Sequence, residues 1–314
     1  MITVLTGGTG GAKFVQGLAS ILAPRELKAI VNTGDDLTWW GLRVSPDLDS
    51  IMYALAGLLS RERGWGINGD TFHCLEAMRR VGAPTWFQLG DRDLATHLRR
   101  TQLLSERRTL SEATAEIASS LGVSACILPM SDNKVDTRVA TANGDLTFQE
   151  YFVRERYQVP VRGVRFVGAE TARPASGVLE AIAGAEAVVI APSNPITSIG
   201  PILAVPGIRD ALRETTAKVA AISPIIGDAA VSGPAAELMR TRDLPVSIAG
   251  IARCYADFLD LLIADLRDAA FGMTIDGIAV HYTNTLMKSD ADKILIARDV
   301  LEVLSDRPIE AAAS

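Results

Sequence analysis

The chain has 314 residues, of which 48% are hydrophobic and 22% are charged, the composition of an ordinary globular protein. Its formal net charge is −6 and it has no run of lysine or arginine, so we expect no nucleic-acid partner, which would need a basic face. No segment approaches the roughly 20 continuous apolar residues of a membrane span, and no signal peptide precedes the first strand. We therefore expect a cytoplasmic protein with no membrane partner.

Short β-branched runs alternate with longer helical patterns, which is typical of a parallel sheet with crossover helices. The first unit is a strand at Ile2–Thr6, a glycine loop, a helix from about residue 12 to residue 22, and a strand at Leu27–Asn32. The last helix is predicted from about Asp290 to Leu304, with a frayed tail after Asp306. Further strands are predicted at Cys126–Met130, Val164–Gly168, Ala187–Ala191, Lys218–Ile222, Val246–Ile251, Leu261–Asp265 and Ile278–Thr283.

Two stretches interrupt this alternation. Residues 61–124 contain no convincing strand but several helical patterns, at Thr71–Val81, Asp91–Leu103 and Ser111–Leu121, which predicts a helical insertion or cap. Residues 136–153 alternate around Asn143-Gly144, a strong signal for a type I′ hairpin. We expect residues 1–314 to form a single α/β domain that carries the insertion, although two closely packed lobes would also fit this length.

The turn after the first strand is rich in glycine, with the sequence Thr6-Gly7-Gly8-Thr9-Gly10-Gly11-Ala12-Lys13. Glycines let the backbone approach a ligand closely, and the free amides at a helix start attract an anion. We predict that the loop binds a phosphate or pyrophosphate through Gly8, Thr9, Gly10, Gly11 and Lys13. Neither common fingerprint is satisfied, because Phe14 stands where a Walker A loop needs a hydroxyl and Lys13 where a dinucleotide loop needs a third glycine.

Acidic residues follow the second strand and introduce the next helix, at Asp35, Asp36, Asp47 and Asp49. The carboxyl ends of strands line the ligand crevice of an open α/β sheet, so these carboxylates should face the same cleft as the glycine loop. Four carboxylates repel one another unless a cation lies among them, and we predict Asp36 and Asp49 as Mg²⁺ ligands or as groups that orient a hydroxyl. The alternative is structural, with Asp47 or Ser45 capping the helix and Asp35 ending a strand.

Two more segments place polar side chains at loop positions. Asp91 is well placed to cap the helix that follows it, whereas Arg92 opposes the helix dipole and is predicted to have a phosphate or carboxylate partner. The loop from Ala191 to Gly200 follows a very apolar strand and exposes hydroxyls and an amide to the crevice. The predicted nucleotide or phosphate contacts from this loop and from the end of the second strand are Ser193, Asn194, Ser198 and Asn32.

Taken together, these segments resemble the 2-phospho-L-lactate transferase family of coenzyme F-420 biosynthesis. The resemblance covers residues 2 to about 304 and implies a Rossmann-like three-layer α/β/α sandwich with a mostly parallel sheet, a helical addition and a homodimer. It rests on the order and spacing of eight motifs: GGTGGAKF at 7–14, NTGDD at 32–36, SPDLDS at 45–50, WGINGDTF at 65–72, LGDRDLATHLRRT at 89–101, PMSD at 129–132, APSNPITSIGPIL at 191–203 and SPIIG at 223–227.

The resemblance also implies a reaction. A guanosine diphosphate that carries 2-phospholactate, or phosphoenolpyruvate in related members, is the donor, and the ribityl hydroxyl of the deazaflavin Fo attacks the phosphorus that bears the acid. GMP leaves, with Mg²⁺ present. Asp49 and Gln88 match positions that the family associates with Fo, and Asp91 is expected beside them. Displacement at phosphorus needs positioning and charge neutralisation, for which Asp36, Asp49 and Arg92 are the predicted catalytic residues.

Two other interpretations stay open. A nicotinamide-dependent dehydrogenase would carry a third loop glycine, and an acidic residue where this chain has Asn32. A sugar-nucleotide-binding regulator of the same superfold would share the glycine loop but would not need the acidic segments SPDLDS at 45–50 and GDRDLATHLRRT at 90–101. The residues do not decide which acid is transferred, among phospholactate, phosphoenolpyruvate and phosphoglycerate.

Overall fold

The computed structural model describes residues 1–305, so the frayed tail expected after Asp306 lies outside the described residues. The helices and strands follow in this order: β1 (Ile2–Thr6), α1 (Gly8–Ala19), β2 (Leu27–Val31), β3 (Leu37–Trp39), β4 (Leu42–Val44), α2 (Pro46–Leu55), α3 (His73–Arg80), α4 (Asp91–Ser105), α5 (Leu110–Ser120), β5 (Cys126–Pro129), β6 (Asp136–Thr141), β7 (Gly144–Thr147), β8 (Val161–Val167), α6 (Val178–Ala183), β9 (Ala187–Ile190), α7 (Gly200–Ala204), α8 (Ile208–Glu214), β10 (Lys218–Ile222), β11 (Ile225–Ile226), β12 (Ala229–Ala230), α9 (Ala235–Arg240), α10 (Ile248–Tyr255), β13 (Leu261–Asp265), β14 (Thr274–Ile275), β15 (Ile278–Thr283) and α11 (Asp290–Leu304).

Eight of the described strands form one central sheet, in the order β14-β15-β13-β10-β9-β1-β2-β5. All neighbours pair in parallel except β14 with β15. From β1 the chain steps through β2 to β5, and from β9 it steps the other way through β10, β13 and β15. The two halves meet between β1 and β9, which is the topological switch point where open α/β sheets bind their ligands.

Helices cover both faces of this sheet, which confirms the predicted three-layer α/β/α sandwich. Successive strand residues point to opposite faces, so Val4 packs with Phe14 of α1 and Leu48 of α2, while Leu5 packs into a second cluster on the other side. The first face is covered by α1, α2, α5 and α11, and the second by α6, α8 and α10. No helix within residues 1–305 is long and apolar enough to cross a membrane.

Two of the predicted strands have a different place in the structure. The strand predicted at Val246–Ile251 is wrong, because α10 begins at Ile248 after Ser247, whose backbone is extended. An apolar run this short does not distinguish a strand from a buried helix by its period. The strand predicted at Val164–Gly168 exists as β8, but it pairs antiparallel with β6 in a separate sheet of order β7-β6-β8.

The hairpin predicted around Asn143-Gly144 forms, since β6 and β7 pair antiparallel up to Thr141 opposite Gly144. The predicted type I′ turn is wrong. That turn requires a positive φ at both central residues, and within this turn only Gly144 has one, +115°. The Thr141 hydroxyl closes the turn, because it donates to the Gly144 carbonyl at 2.7 Å and accepts from the Asn143 amide at 3.1 Å.

The helices predicted within residues 61–124 are present as α3, α4 and α5, each within two residues of its expected bounds. They differ in what they contact. α5 packs against the edge strand β5 and contributes to the first face of the sheet, whereas α4 packs on α5 and on β4. The proposed division of the chain, a single domain with an insertion at residues 61–124, stays a prediction.

Replacing Gly17 by alanine is expected to destabilise the chain. α1 and α11 cross so closely here that a Cβ on Gly17 would lie 2.1 Å from the Lys293 carbonyl oxygen. The helices must separate, at a cost of roughly 1–3 kcal/mol, which exceeds the helix preference of alanine over glycine of about 1 kcal/mol. Urea denaturation of Gly17→Ala measures the loss. Gly163→Ala is the control, because its Cβ would meet no atom within 4 Å; equal stability of the two variants would contradict this packing.

Candidate active site

The glycine loop joins β1 to α1 at the switch point of the sheet. Within the described chain, no residue accepts a hydrogen bond from the backbone amides of Thr9 and Gly10, whereas the Gly8 amide donates to Asp47 Oδ1 at 2.8 Å. A Cβ on Gly10 would lie 2.4 Å from the Pro192 carbonyl oxygen, so only glycine allows α1 to approach the loop after β9 this closely. Two free amides at the start of a 12-residue helix are suited to an anion.

Lys13 brings a positive charge to the same helix. It lies in the second turn of α1 and is half-buried. Its Nζ makes a single long hydrogen bond, 3.4 Å, to the Met287 carbonyl oxygen in the segment that follows β15. An ammonium has three donors, so Lys13 keeps the capacity to bind an anion held by the loop.

The loop after β9 faces the glycine loop. It contains three of the predicted phosphate contacts, Ser193, Asn194 and Ser198, and their side chains have different partners. Ser193 Oγ donates to the Gly7 carbonyl at 2.7 Å, and Asn194 Oδ1 caps the short turn that follows it. Ser193 and Asn194 therefore hold the two loops in shape. Ser198 lies against the glycine loop, where added Cβ atoms on Gly7 and Gly8 would come within 3.0 Å of its Cβ and 3.7 Å of its Oγ. Its hydroxyl is thus beside Gly8, at the start of α1.

Asn32 is buried beneath the loop and fixes Asp47. Its Nδ2 donates to Asp47 Oδ2 at 2.9 Å, and its Oδ1 accepts from the Gly34 amide at 2.8 Å. With 0% of its surface exposed, Asn32 acts on a bound ligand only through Asp47. The alternative that Asp47 caps α2 is wrong, because Asp47 caps the first turn of α1 through Gly8.

We call Asp35, Asp36, Asp47 and Asp49 the carboxylate cluster. Burial raises the pKa of Asp47 and, together with the charge of Asp47, that of Asp35. Burial also raises the pKa of Asp36 to about 7. Ser45 Oγ donates to Asp36 Oδ2 at 2.6 Å, whereas Asp36 Oδ1 is buried with no partner among the described residues. A buried polar atom without a partner is costly, so Asp36 Oδ1 fits a cation or a substrate hydroxyl.

Asp49 is buried and ion-paired with Arg100 of α4. Arg100 Nη1 donates to Asp49 Oδ2 at 3.2 Å and Nη2 donates to Oδ1, so both oxygens are held. Arg100 is 0% exposed, and the loss of one partner of such a pair typically costs about 3–5 kcal/mol. The two predicted metal ligands therefore differ. Asp36 has one oxygen without a partner among the described residues, whereas both oxygens of Asp49 accept from Arg100.

A polar network that the sequence analysis missed surrounds this pair. His97 Nδ1 lies 3.6 Å from Asp49 Oδ2, and His97 Nε2 lies 3.2 Å from Asp93 Oδ1. The Tyr53 hydroxyl donates to Asp93 at 2.7 Å. All of these side chains are buried between α2 and α4. The network therefore fixes the position of Asp49 relative to both helices.

Asp91, Arg92 and Gln88 lie outside this network. Asp91 accepts hydrogen bonds from the Thr71 hydroxyl and from the Cys74 amide at 2.9 Å, which hold its pKa at about 2. The interpretation of Asp91 as the cap of α4 is wrong: Asp91 caps α3, and Asp70 caps α4 by accepting from the Arg92 and Asp93 amides. The side chains of Arg92 and Gln88 are exposed and, within residues 1–305, make no ion pair or hydrogen bond.

A preformed metal cluster is absent from the described part of the chain, where no three His, Cys, Asp or Glu side chains converge suitably. Mg²⁺ at phosphate sites usually takes one or two carboxylates and completes its shell with water and phosphate oxygens. Asp36 fits this requirement through Oδ1. The residues present therefore suit a Mg²⁺ ion that arrives with a phosphorylated substrate.

The raised pKa of Asp36 predicts how stability depends on pH. Because its pKa is about 7 in the folded chain against an ordinary 3.8, the folded chain binds this proton more tightly. The resulting stability is complete below about pH 4 and is lost as the pH rises through 7. Asp36→Asn removes this pH dependence. Between pH 5 and pH 8 the free energy of unfolding of the variant should therefore rise by roughly 2 kcal/mol relative to that of the unmodified chain.

Urea denaturation across this pH range measures the difference. Asp276→Asn is the matched control, since Asp276 is exposed and its φ of +50° suits asparagine. A stability difference between Asp36→Asn and the unmodified chain that stays constant with pH would contradict the burial of this carboxyl.

Comparisons with known proteins identify the family of the chain. The family model described as 2-phospho-L-lactate transferase CofD matches residues 2–293. A 2-phospho-L-lactate transferase of Methanosarcina mazei is 42% identical over 95% of this chain and 99% of its own length, and a phosphoenolpyruvate transferase of Streptomyces griseus is 42% identical over 97% and 98%. A solved structure of a UPF0052-family protein from Bacillus halodurans, 18% identical, shares the fold with a TM-score of 0.63 over 96% of this chain and 98% of that one. The chain therefore belongs to the 2-phospho-L-lactate transferase CofD family and is a transferase of coenzyme F-420 biosynthesis.

Proposed function

We propose that the chain transfers a phospholactyl or enolpyruvyl-phosphate group from a guanosine diphosphate-linked donor to the deazaflavin Fo, with release of GMP. The observation that carries this proposal is the placement of two kinds of group after the carboxyl ends of neighbouring strands. The Thr9 and Gly10 amides follow β1 and Asp36 Oδ1, which is buried, follows β2, and none of the three has a partner among the described residues. The amides suit a diphosphate and the carboxylate suits the cation or hydroxyl that must meet it. The family assignment supplies the transferase class.

In this proposal the glycine loop holds the diphosphate of the donor. The Thr9 and Gly10 amides, with the positive end of the α1 dipole, bind phosphate oxygens, and Lys13 adds a charge from the second turn. Ser198 offers a hydroxyl beside Gly8. The diphosphate of the donor is thereby fixed at the switch point of the sheet.

The reaction forms one phosphorus–oxygen bond and breaks another. The ribityl hydroxyl oxygen of Fo attacks the phosphorus that bears the acid, the bond from that phosphorus to the GMP oxygen breaks, and the hydroxyl proton passes to the carboxylate cluster. We keep Asp49 and Gln88 as the residues expected to contact Fo, with Arg92 and Asp91 at the neighbouring end of α4.

We assign Mg²⁺ to Asp36, because its Oδ1 has no partner while both oxygens of Asp49 accept from Arg100. Bound there, the ion would neutralise charge on the donor's diphosphate. In this proposal Asp49 is not a second Mg²⁺ ligand, and it contacts Fo instead. Neither rival interpretation is favoured by an observation, and Asn32, at the position where a dehydrogenase needs an acid for the ribose, is bonded to Asp47.

Mass spectrometry of a competition reaction tests the proposed function. The purified chain, Fo and Mg²⁺ are mixed with the guanylated forms of phospholactate, phosphoenolpyruvate and phosphoglycerate. The expected products are GMP and a phosphodiester of Fo, whose mass identifies the preferred acid. Nucleotide binding without any phosphodiester would contradict the proposal.

Asp49→Asn is expected to lower turnover at least about a hundredfold, because the carboxylate that the Arg100 network positions would be lost. The variant also leaves Arg100 without a counter-charge, so its turnover is measured at a temperature where circular dichroism shows a folded chain. Asp276→Asn, on the surface, should keep the turnover of the unmodified chain. Unchanged turnover in folded Asp49→Asn would rule out the role given to Asp49.

A further inference from the structure

A cleft that Asp36 lines, and to which no residue of the glycine loop contributes, opens at the surface of the described chain. It has a volume of about 330 Å³ and lies at the carboxyl ends of β2 and β5, and Thr33 and Asp36 are among the residues that line it. Three basic residues from separate segments line it, namely Arg43 of β4, Arg108 after α4 and Lys134 after β5. Two carboxylates, Asp36 and Asp132, also line the cleft, so its formal charge is +1 in a chain whose formal net charge is −6.

Arg43 is the basic residue at the centre of this arrangement. Its backbone amide donates to Thr101 Oγ1 at 2.8 Å, which fixes β4 against α4. Its side chain is half-buried, and its guanidinium makes no hydrogen bond or ion pair with a residue of the described ranges. Its charge lies close enough to Asp36 to lower the pKa of that carboxyl against the larger effect of burial. A half-buried guanidinium without a hydrogen-bond partner is prepared for an anionic ligand.

Arg108 and Lys134, the two basic residues at the rim of the cleft, have ion-pair partners that an anionic ligand can replace. Arg108 lies 3.8 Å from Glu112, and Lys134 lies 3.0 Å from Asp136, and both basic side chains are more than half exposed. Exposed ion pairs of this kind contribute little stability. The remaining acid in the cleft, Asp132, already accepts from the Ser111 amide and hydroxyl, each at 2.7 Å.

We propose that this cleft binds the carboxylate of the phospho-acid that is transferred, with Arg43 as its main partner. The inference rests on the proposed function, which puts the diphosphate on the glycine loop after β1. Neighbouring strands are about 4.8 Å apart, so the cleft at β2 and β5 is roughly 5 to 10 Å from that loop. This separation matches the distance from the bridging phosphorus of a 2-phospho-acid, through the neighbouring carboxylate, to a guanidinium that is hydrogen-bonded to that carboxylate.

A planar guanidinium binds a carboxylate through two parallel hydrogen bonds, which a neutral amide does not reproduce. The test therefore compares two donors for each variant: the guanylated phospho-acid that the unmodified chain uses best, and its analogue with a carboxamide in place of the carboxylate. For the unmodified chain we expect kcat/KM to favour the carboxylate by about 10- to 100-fold. Arg43→Gln should reduce this ratio to near 1, and Arg43→Lys should leave an intermediate ratio.

GDP affinity, measured by calorimetry, is the second readout. The GDP affinity should be the same in Arg43→Gln and in the unmodified chain, because GDP lacks the carboxylate that Arg43 is proposed to bind. Arg80→Gln is the matched control, since Arg80 is exposed at the end of α3 and should alter neither value. An unchanged donor ratio in Arg43→Gln, or a loss of GDP affinity as large as the loss of donor use, would overturn the proposal. If Arg43→Gln does not fold, Arg108→Gln and Lys134→Gln, on the exposed rim, give the same comparison.

Failure of the proposed function is recognised separately. If the unmodified chain makes no phosphodiester from any donor, binding of free phosphoenolpyruvate is measured instead by calorimetry. Weaker binding to Arg43→Gln than to Arg80→Gln would support the cleft as an acid site without the transferase reaction. Equal binding to both variants would contradict it.

Discussion

Three carboxylates of the cluster, Asp35, Asp47 and Asp49, are buried beside the half-buried Asp36 after the carboxyl end of β2, and most contacts of the site serve to hold or neutralise their charge. Asp47 is held by Asn32 and by the Gly8 amide, which ties it to the start of α1. Asp49 is neutralised by the buried Arg100. Asp35 and Asp36 each have a buried oxygen, Oδ1, that has no partner among residues 1–305. The charge that the fold leaves uncompensated is therefore at the place where a cation and a phosphate are needed.

The sequence predicted the central sheet well because its strands are buried on both faces. Continuous apolar runs such as Lys218–Ile222 are bounded sharply, and α11 begins at a capping box formed by Ser289 and Asp292. The same signal failed at Val246–Ile251, where a short apolar run forms part of a helix, and it could not show that β8 leaves the main sheet. Partner choice between strands depends on tertiary packing, which no local pattern contains.

The sequence predicted the site less completely than the fold. It located the glycine loop and the carboxylate cluster, because strand ends in an open sheet converge on one crevice. It missed Arg100, whose partner Asp49 is 51 residues away. A signal existed: Asp93, His97 and Arg100 recur at spacings of four and three on α4, so they share one face of that helix. A polar face usually points to solvent, and only the structure shows that this one is buried against α2.

The central claim is that the free amides of the glycine loop receive the phosphates of the donor. Backbone amide resonances of Thr9 and Gly10, followed by NMR while GDP and Mg²⁺ are added, test it most directly. We expect both resonances to shift and both amides to exchange more slowly with water, while the amide of Gly122, on the turn after α5, stays unchanged. Saturable GDP binding that leaves the Thr9 and Gly10 resonances where they were would contradict the account.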